Sequence, residues 1–399
     1  VSIRVLPENV ASAIAAGEVV ERPSSVVKEL IENSLDAEAN QIQVQIERAG
    51  RGLIEVGDNG TGIPAGEVEL AAARYATSKV QNLDDLFAIA TLGFRGEALA
   101  SIAAVARMEL LSCARGAEFG TRIAIEGGQV KRNERVGAAQ GTNVRVRDLF
   151  FNVPARLKFL KTDRTERRKI TELVTRYALA YPKVRFSLVQ DGREVFYSSG
   201  SGNRREVLAE VYGLQIEQGM VAIPDHPEAP FQVEGFISAP NLHRSNRRQL
   251  TFFVNGRWVQ DGSLSAAVIQ AYHGLLMVGR YPIATLFITL PPETIDVNVH
   301  PAKAEIRFRE REQVFSVLQR TVRATLLGHT PPPEVRLGRT WDSANWGGSE
   351  APAIPHAVDR DPMRTVEPLE TPRLPVGEIP LLRSVGQVGA AYLVAEGPD

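Results

Sequence analysis

Residues 26–37 read VVKELIENSLDA, and two patterns are superimposed on them. Val27, Leu30, Ile31 and Leu35 recur at the three- and four-residue spacing of one helical face, a stripe made for a core. Glu29, Asn33 and Asp36 recur at i, i+4 and i+7 on another side. On a helix such positions stand one above another, with neighbouring Cβ atoms about 5–6 Å apart. Two readings stay open at this point: a solvated polar face, or one wall of a site onto which two carboxylates and an amide converge.

The flanking sequence sets the architecture. QIQVQIERAGRGLIEVGDNG (41–60) alternates Ile42, Val44 and Ile46, then Leu53, Ile54 and Val56, around a Gly-Arg-Gly turn, the pattern of a β-hairpin. Glu67 to Tyr75 returns to helical spacing, and a further helix begins near Gly96 and runs through EALASIAAVA. RMELLSCARG, TRIAIEGGQV and TNVRVRDLF supply more strands. One helix layer over a largely antiparallel sheet is the economical arrangement, an α+β sandwich. The Ser/Gly-rich YSSGSGNRRE (197–206) marks a boundary between a first domain, 1–200, and a second α/β domain, 206–328. In the second, FQVEGFISAP, QLTFFVNGRWV and YPIATLFITL are strands, with helices near 262–275 and 311–327. Proline-rich, weakly periodic sequence over 329–383 predicts a disordered tether, and 384–399 turns strand-like again.

At 399 residues, 44% hydrophobic and 23% charged, the chain reads as globular and multidomain. A formal net charge of -1 excludes a uniformly basic nucleic-acid coat but not local basic patches. One cysteine, Cys113, excludes an internal disulfide or a Cys-rich zinc site. No apolar run reaches the roughly 18 residues a bilayer span needs. Glu18 and Glu21 stand where a signal peptide would need a small-residue cleavage site. The expectation is a cytoplasmic protein with no membrane partner.

Four further motifs bear on chemistry. VGDNGTG (56–62) puts Asp58 at a strand end before Gly60 and Gly62. An ionised aspartate only accepts hydrogen bonds, so it can take one from an exocyclic amine such as that of adenine, and glycines let backbone approach a purine closely. LGFRGEAL (92–99) is a glycine-flanked turn opening a helix, whose free first-turn N–H groups suit a di- or triphosphate. ATSKV (76–80) adds two hydroxyls and a lysine, and GTNVRV (141–146) puts Thr142 at a strand start. Each is commonplace alone.

Together and in this order, IAAGEVVERPSSVVKELIENSLDA, DNGTGI, ATSK, GFRGEAL and DVNVHPAK resemble the GHKL (Bergerat-fold) ATPase superfamily of gyrase B, Hsp90 and histidine kinases, and within it the MutL mismatch-repair branch. The resemblance covers residues 3 to about 328. It implies a GHKL ATPase sandwich followed by a ribosomal S5 domain 2-like domain, with ATP and Mg²⁺ as cofactors. By similarity Glu29 is the general base that deprotonates the attacking water, and Asn33 offers Mg²⁺ a neutral oxygen. Asp58 selects adenine, supported by Thr142. Thr77, Ser78 and Lys79, with Leu92, Gly93, Phe94, Arg95, Gly96, Glu97, Ala98 and Leu99, wrap the phosphates as a lid, and Lys303 of the second domain reaches the γ-phosphate. Asp36 is expected to brace the site, and His300 to be structural rather than catalytic. VGQVGAAYLVAEG (385–397) resembles the start of the family's C-terminal dimerisation domain.

Two basic stretches, Arg156, Lys158, Lys161, Arg164, Arg167, Arg168 and Lys169, then Arg244, Arg247 and Arg248, form a candidate phosphate-backbone footprint without a base-reading motif. The family implies a slow ATPase whose N-terminal halves associate on nucleotide binding to clamp DNA. It works as a homodimer with a mismatch-recognition protein of the MutS type and a downstream nuclease or helicase, on the nucleoid during repair. A histidine kinase would need a phosphoacceptor histidine ahead of the ATPase domain, and the first histidine is His226. A nucleotide-switched scaffold without relevant hydrolysis is the alternative. A C-terminal endonuclease is not assignable.

Overall fold

Pro23 opens helix α1, Pro23–Asp36, where a missing N–H costs nothing because first-turn donors have no helical partner. The computed structural model describes residues 15–17, 19–79, 91–93, 96–225, 229–296, 306–329, 383–388 and 392–396. Leu30 and Ile31 of α1 are buried beneath the following hairpin, β1 (Gln41–Glu47) and β2 (Leu53–Asp58). The chain continues through helix α2 (Ala98–Val105) and strands β3 (Arg107–Cys113), β4 (Gly120–Glu126), β5 (Gln129–Val136) and β6 (Gly141–Arg147). Helix α3 (Asp163–Ala180) and strands β7 (Arg185–Gln190) and β8 (Arg193–Tyr197) close the first domain's sheet.

These strands form one eight-stranded sheet in the order β5-β4-β3-β6-β2-β1-β7-β8, antiparallel except for β1 and β7. Ile42, Val44 and Ile46 are buried while Gln41, Gln43 and Glu47 are exposed, the alternation of a sheet with helices on one face. Its other face carries charge pairs such as Arg145 with Glu55 at 2.9 Å. The α+β sandwich expected from the hairpin pattern is therefore the fold.

Beyond the loop at residues 198–203, helix α4 (Arg204–Tyr212) leads to β9 (Met220–Ala222) and β10 (Gln232–Ser238). Strand β11 (His243–Arg244) pairs with β14 (Tyr281–Pro282). A five-stranded sheet, β13-β12-β15-β10-β9, includes β12 (Leu250–Val254), β13 (Arg257–Val259) and β15 (Ala284–Thr289). Helices α5 (Gly262–Ala271) and α6 (Arg311–His329) share one core with its strands, and a small pair, β16 (Ile295–Asp296) with β17 (Arg307–Phe308), adjoins α6. Met220, Phe236 and Ile283 instead join the first domain's core, so this sheet is covered on both sides. Separately, Val335–Asp399 is its own unit, in which β18 (Arg383–Val388) and β19 (Tyr392–Glu396) pair as an antiparallel hairpin.

Local boundaries depart from the expected ones for steric reasons. The helix expected over Glu67 to Tyr75 is confined to Val68–Ala71, and Tyr75 takes a left-handed φ of 61°. The helix expected from Gly96 starts at Ala98, because Gly96 turns with φ +63° against the Ala76 carbonyl, where a Cβ would lie 2.6 Å away. The tether expected over 329–383 lies outside the described residues apart from His329 and Arg383.

Candidate functional site

The site is built where α1 crosses the ends of β2 and β6. Helical spacing carries Glu29, Asn33 and Asp36 onto one wall of a concavity of about 750 Å³, also lined by Asp58, Gly62, Thr77, Ser78, Lys79, Gly93, Thr142 and residues 96–99. Val56, Leu110 and Val144 furnish an apolar floor from three neighbouring strands. Segments scattered over more than a hundred residues therefore share one cavity, of the size and mixed polarity that small-ligand sites have.

Asp58 sits at the deep end. Its carboxylate accepts from the Ser34 hydroxyl at 2.8 Å, the Gly60 N–H at 2.9 Å and the Thr142 N–H at 3.3 Å. Burial pushes its pKa above the ordinary 3.8, against the opposing pull of those hydrogen bonds. Thr142 pairs through its hydroxyl with Ser112 at 2.9 Å. Ser34 and Ser112 were not identified from sequence: both sit in apolar-patterned elements, and only tertiary pairing brings them to Asp58 and Thr142.

At the opposite end Asp36 gathers three donors. Leu92 N–H and Gly93 N–H reach its two oxygens at 2.8 and 2.9 Å, and Lys79 Nζ lies 2.6 Å away. Lys79 Nζ also donates to Asn33 Oδ1 at 3.1 Å. Asp36 thus braces the loop. Glu29 is buried and faces Lys28 Nζ at 3.1 Å, an ammonium that Glu32 approaches at 3.1 Å as well. Burial works against the charge on Lys28, but the two carboxylates outweigh it and raise its pKa. Tyr177 of α3 donates to Glu32 at 2.7 Å, tying this buried network of α1 to α3.

Several expected residues stand elsewhere. Gly60 and Leu92 do not line the cavity. Gly60 is required by α1's C-terminus, since a Cβ would lie 2.6 Å from the Ala37 carbonyl, and Gly62, at φ +69°, would place one 2.0 Å from the Cys113 carbonyl. Both glycines therefore answer close approaches of the chain to itself. Phe94, Arg95, His300 and Lys303 lie outside the described residues.

The basic stretches divide. Arg156 donates to the Gly17 and Val20 carbonyls at 3.0 and 2.9 Å, so that guanidinium nitrogen is spent on the N-terminal segment, not on a ligand. Arg167 pairs with Asp191 at 2.9 Å, and Arg244 donates to Gln249 at 2.8 Å. Lys158, Lys161 and Arg164 are exposed, and half-buried Lys169 has its pKa lowered by burial and by Arg22. Arg168 of α3 and Arg247 and Arg248 of the second domain, far apart in sequence, line one cleft of about 500 Å³ together with Arg176, which sequence reading missed.

Known proteins resemble this chain along most of its length. Residues 21–143 match the family model described as histidine kinase-, DNA gyrase B- and HSP90-like ATPase, and residues 208–327 the one described as DNA mismatch repair protein, C-terminal domain. The DNA mismatch repair protein MutL of Limosilactobacillus reuteri is 45% identical over 333 residues, 84% of this chain and 50% of the relative. The chain thus spans about half the length of the curated relatives it matches. Among solved structures, the N-terminal domain of a DNA repair protein aligns with TM-score 0.69 at 26% identity, over 80% of this chain and 98% of that one. The Aquifex aeolicus MutL ATPase domain complexed with ADP aligns with TM-score 0.54 at 31% identity, over 79% of this chain and 100% of its own. The cavity, the sheet that carries it and these likenesses lead to one conclusion: this chain belongs to the MutL family, and its first domain is a GHKL-type ATPase domain.

Proposed function

We propose that this chain is the ATP-hydrolysing part of a DNA mismatch-repair mediator, with Glu29 as general base and Asp58 as the adenine-reading acid. The observation that carries the reading is the convergence of Glu29, Asn33, Asp58, Lys79 and the start of α2 on one cavity. The adenine amine donates to Asp58 over the apolar floor, and the phosphates lie towards Lys79 and the free N–H groups at the start of α2. Glu29 takes the proton of the attacking water, a role worth about 10²- to 10⁴-fold in rate.

The donor set fits Mg²⁺. Asn33 Oδ1 and Asp36 Oδ2 already share one cation, the Lys79 ammonium, so this corner is electronegative and oxygen-lined. Mg²⁺ takes one or two protein oxygens and leaves the rest of its shell to phosphate and water. Bound at Asn33, Mg²⁺ would neutralise phosphate charge. The Lys28 contact holds Glu29 in place. In the limit of no turnover the chain would be a nucleotide-switched scaffold.

Nucleotide binding then drives association of two N-terminal halves into a clamp on DNA, a homodimer that couples a MutS-type mismatch detector to a downstream nuclease or helicase. The cleft of Arg168, Arg247 and Arg248 supports sequence-independent contact with DNA phosphates. Phosphate release by wild type and Glu29→Ala, with nucleotide binding measured for both, tests the enzyme assignment. Release is expected to fall at least about 100-fold with binding retained; equal release would leave the scaffold reading.

A further inference from the structure

Arg257, on β13 of the second domain, is only 5% exposed, yet its guanidinium ends on the first domain. Nη1 donates to the Leu92 carbonyl at 3.1 Å and Nη2 to the Thr91 carbonyl. The amides of the same segment are held from the other side, Leu92 and Gly93 N–H donating to Asp36 at 2.8 and 2.9 Å. Gly93 and Lys79 line the nucleotide cavity, and a Cβ on Gly93 would stand 3.1 Å from Lys79 Nζ and 3.4 Å from Asn33 Oδ1. Three residues at the cavity's edge are therefore gripped between a carboxylate of one domain and a cation of the other.

Arg257 is itself fixed in place. The turn before it has Gly256 at φ +77°, and Tyr181 of the first domain donates to the Gly256 carbonyl at 3.1 Å. Asn255 exchanges two hydrogen bonds of 2.9 Å with the Leu290 backbone. A planar guanidinium suits two successive carbonyls, which a lysine ammonium on a flexible stem matches less well.

We propose that Arg257 is a positioning residue for the nucleotide site, acting across the domain boundary: it holds Thr91–Gly93 in register with Asp36 and Lys79, and so links nucleotide occupancy to the seating of the second domain. The proposal rests on the nucleotide reading above. Coupling of this kind is reciprocal, so a nucleotide that gains from the contact must also tighten it.

Trp258, the next residue, lies with its ring 4.4 Å from the Arg176 guanidinium of the first domain and reports on the junction. With Trp341→Phe and Trp346→Phe it is the remaining tryptophan. In that background ADP titrations are followed by Trp258 emission and, independently, by calorimetry. The starting protein is expected to give the same dissociation constant by both. Arg257→Met is expected to weaken ADP by roughly five- to 150-fold and to lose the emission change at saturating ADP, with Arg257→Lys in between. Tyr181→Phe, a milder change that loosens only the turn, is expected to reduce both effects in part. The proposal fails if Arg257→Met folds, binds ADP as tightly as its parent and keeps the emission change. Should that variant not fold, it fails if Tyr181→Phe alters neither quantity. Calorimetric ADP binding with a silent Trp258 in the parent also overturns it. A parent that binds no ADP at all overturns the nucleotide reading instead.

Discussion

Asp58 carries a conflict that can be measured. Its burial favours the protonated form, while the ionised, acceptor-only form is the stronger partner for an amine N–H. Adenine-nucleotide affinity should therefore decline with acidification through a pKa above 3.8, and calorimetry across pH checks the midpoint. The stability sign is opposite to that of an ion-paired aspartate. Because the folded state holds this proton more tightly than the unfolded chain, Asp58 costs stability as pH rises from its ordinary pKa through the raised one. Asp58→Asn should abolish that slope in denaturant unfolding and lower adenine-nucleotide affinity by about tenfold or more, since an amide cannot reproduce an acceptor-only carboxylate. Asn33→Ala should remove Mg²⁺-dependent nucleotide binding rather than slow turnover, and a normal Mg²⁺-ATP isotherm would refute that assignment.

Helix α1 works because it is held on three sides. Its apolar stripe packs on the sheet, its C-terminus meets Gly60, and its buried Glu32 is tied to α3 through Tyr177. A hydrogen bond to a charged acceptor contributes about 1.5–3 kcal/mol, so Tyr177→Phe should lower unfolding free energy by that order, read from urea midpoints. Ile31→Ala, at a fully buried position, should cost more, about 2–5 kcal/mol, by opening a cavity beneath the site. The pattern of α1 and the β1–β2 hairpin was legible because each alternation or stripe is local. The short helix at Val68–Ala71 was overestimated: helical spacing continues to Tyr75, but the helix stops at Ala71 and Tyr75 itself takes a left-handed backbone that composition does not announce.

Across the whole molecule, the first domain's core continues into Phe236 and Ile283 of the second domain, and Arg257 spans the same junction. The basic cleft also belongs to both domains, which is why neither basic stretch alone describes it. If it meets phosphate backbone, log affinity for DNA should fall linearly with log salt, by about 0.9 per contacted phosphate on duplex. Replacing Arg247 and Arg248 with Ala should reduce that slope by about 2. A flat salt response, or an unchanged slope in the double variant, would remove the cleft from the DNA-binding surface. Arg156→Ala should act differently: it releases the Gly17 and Val20 carbonyls, so it should alter the N-terminal segment more than the salt slope.

Local periodicity was enough to read the helices and strands, and the order of the motifs was enough to read the family and to single out Glu29, Asn33 and Asp58 as candidates. Which atoms each side chain meets became visible only in the packed fold. Ser34 hydrogen-bonds Asp58 and Asp36 braces Leu92 and Gly93, while Gly60 and Gly62 fit the chain's own backbone and Arg156 is drawn from the basic footprint to the N-terminal segment. The physical reason is range: periodicity and turn chemistry act over a few residues, whereas hydrogen bonds such as Arg257 to Leu92 join positions whose proximity exists only once both domains are packed.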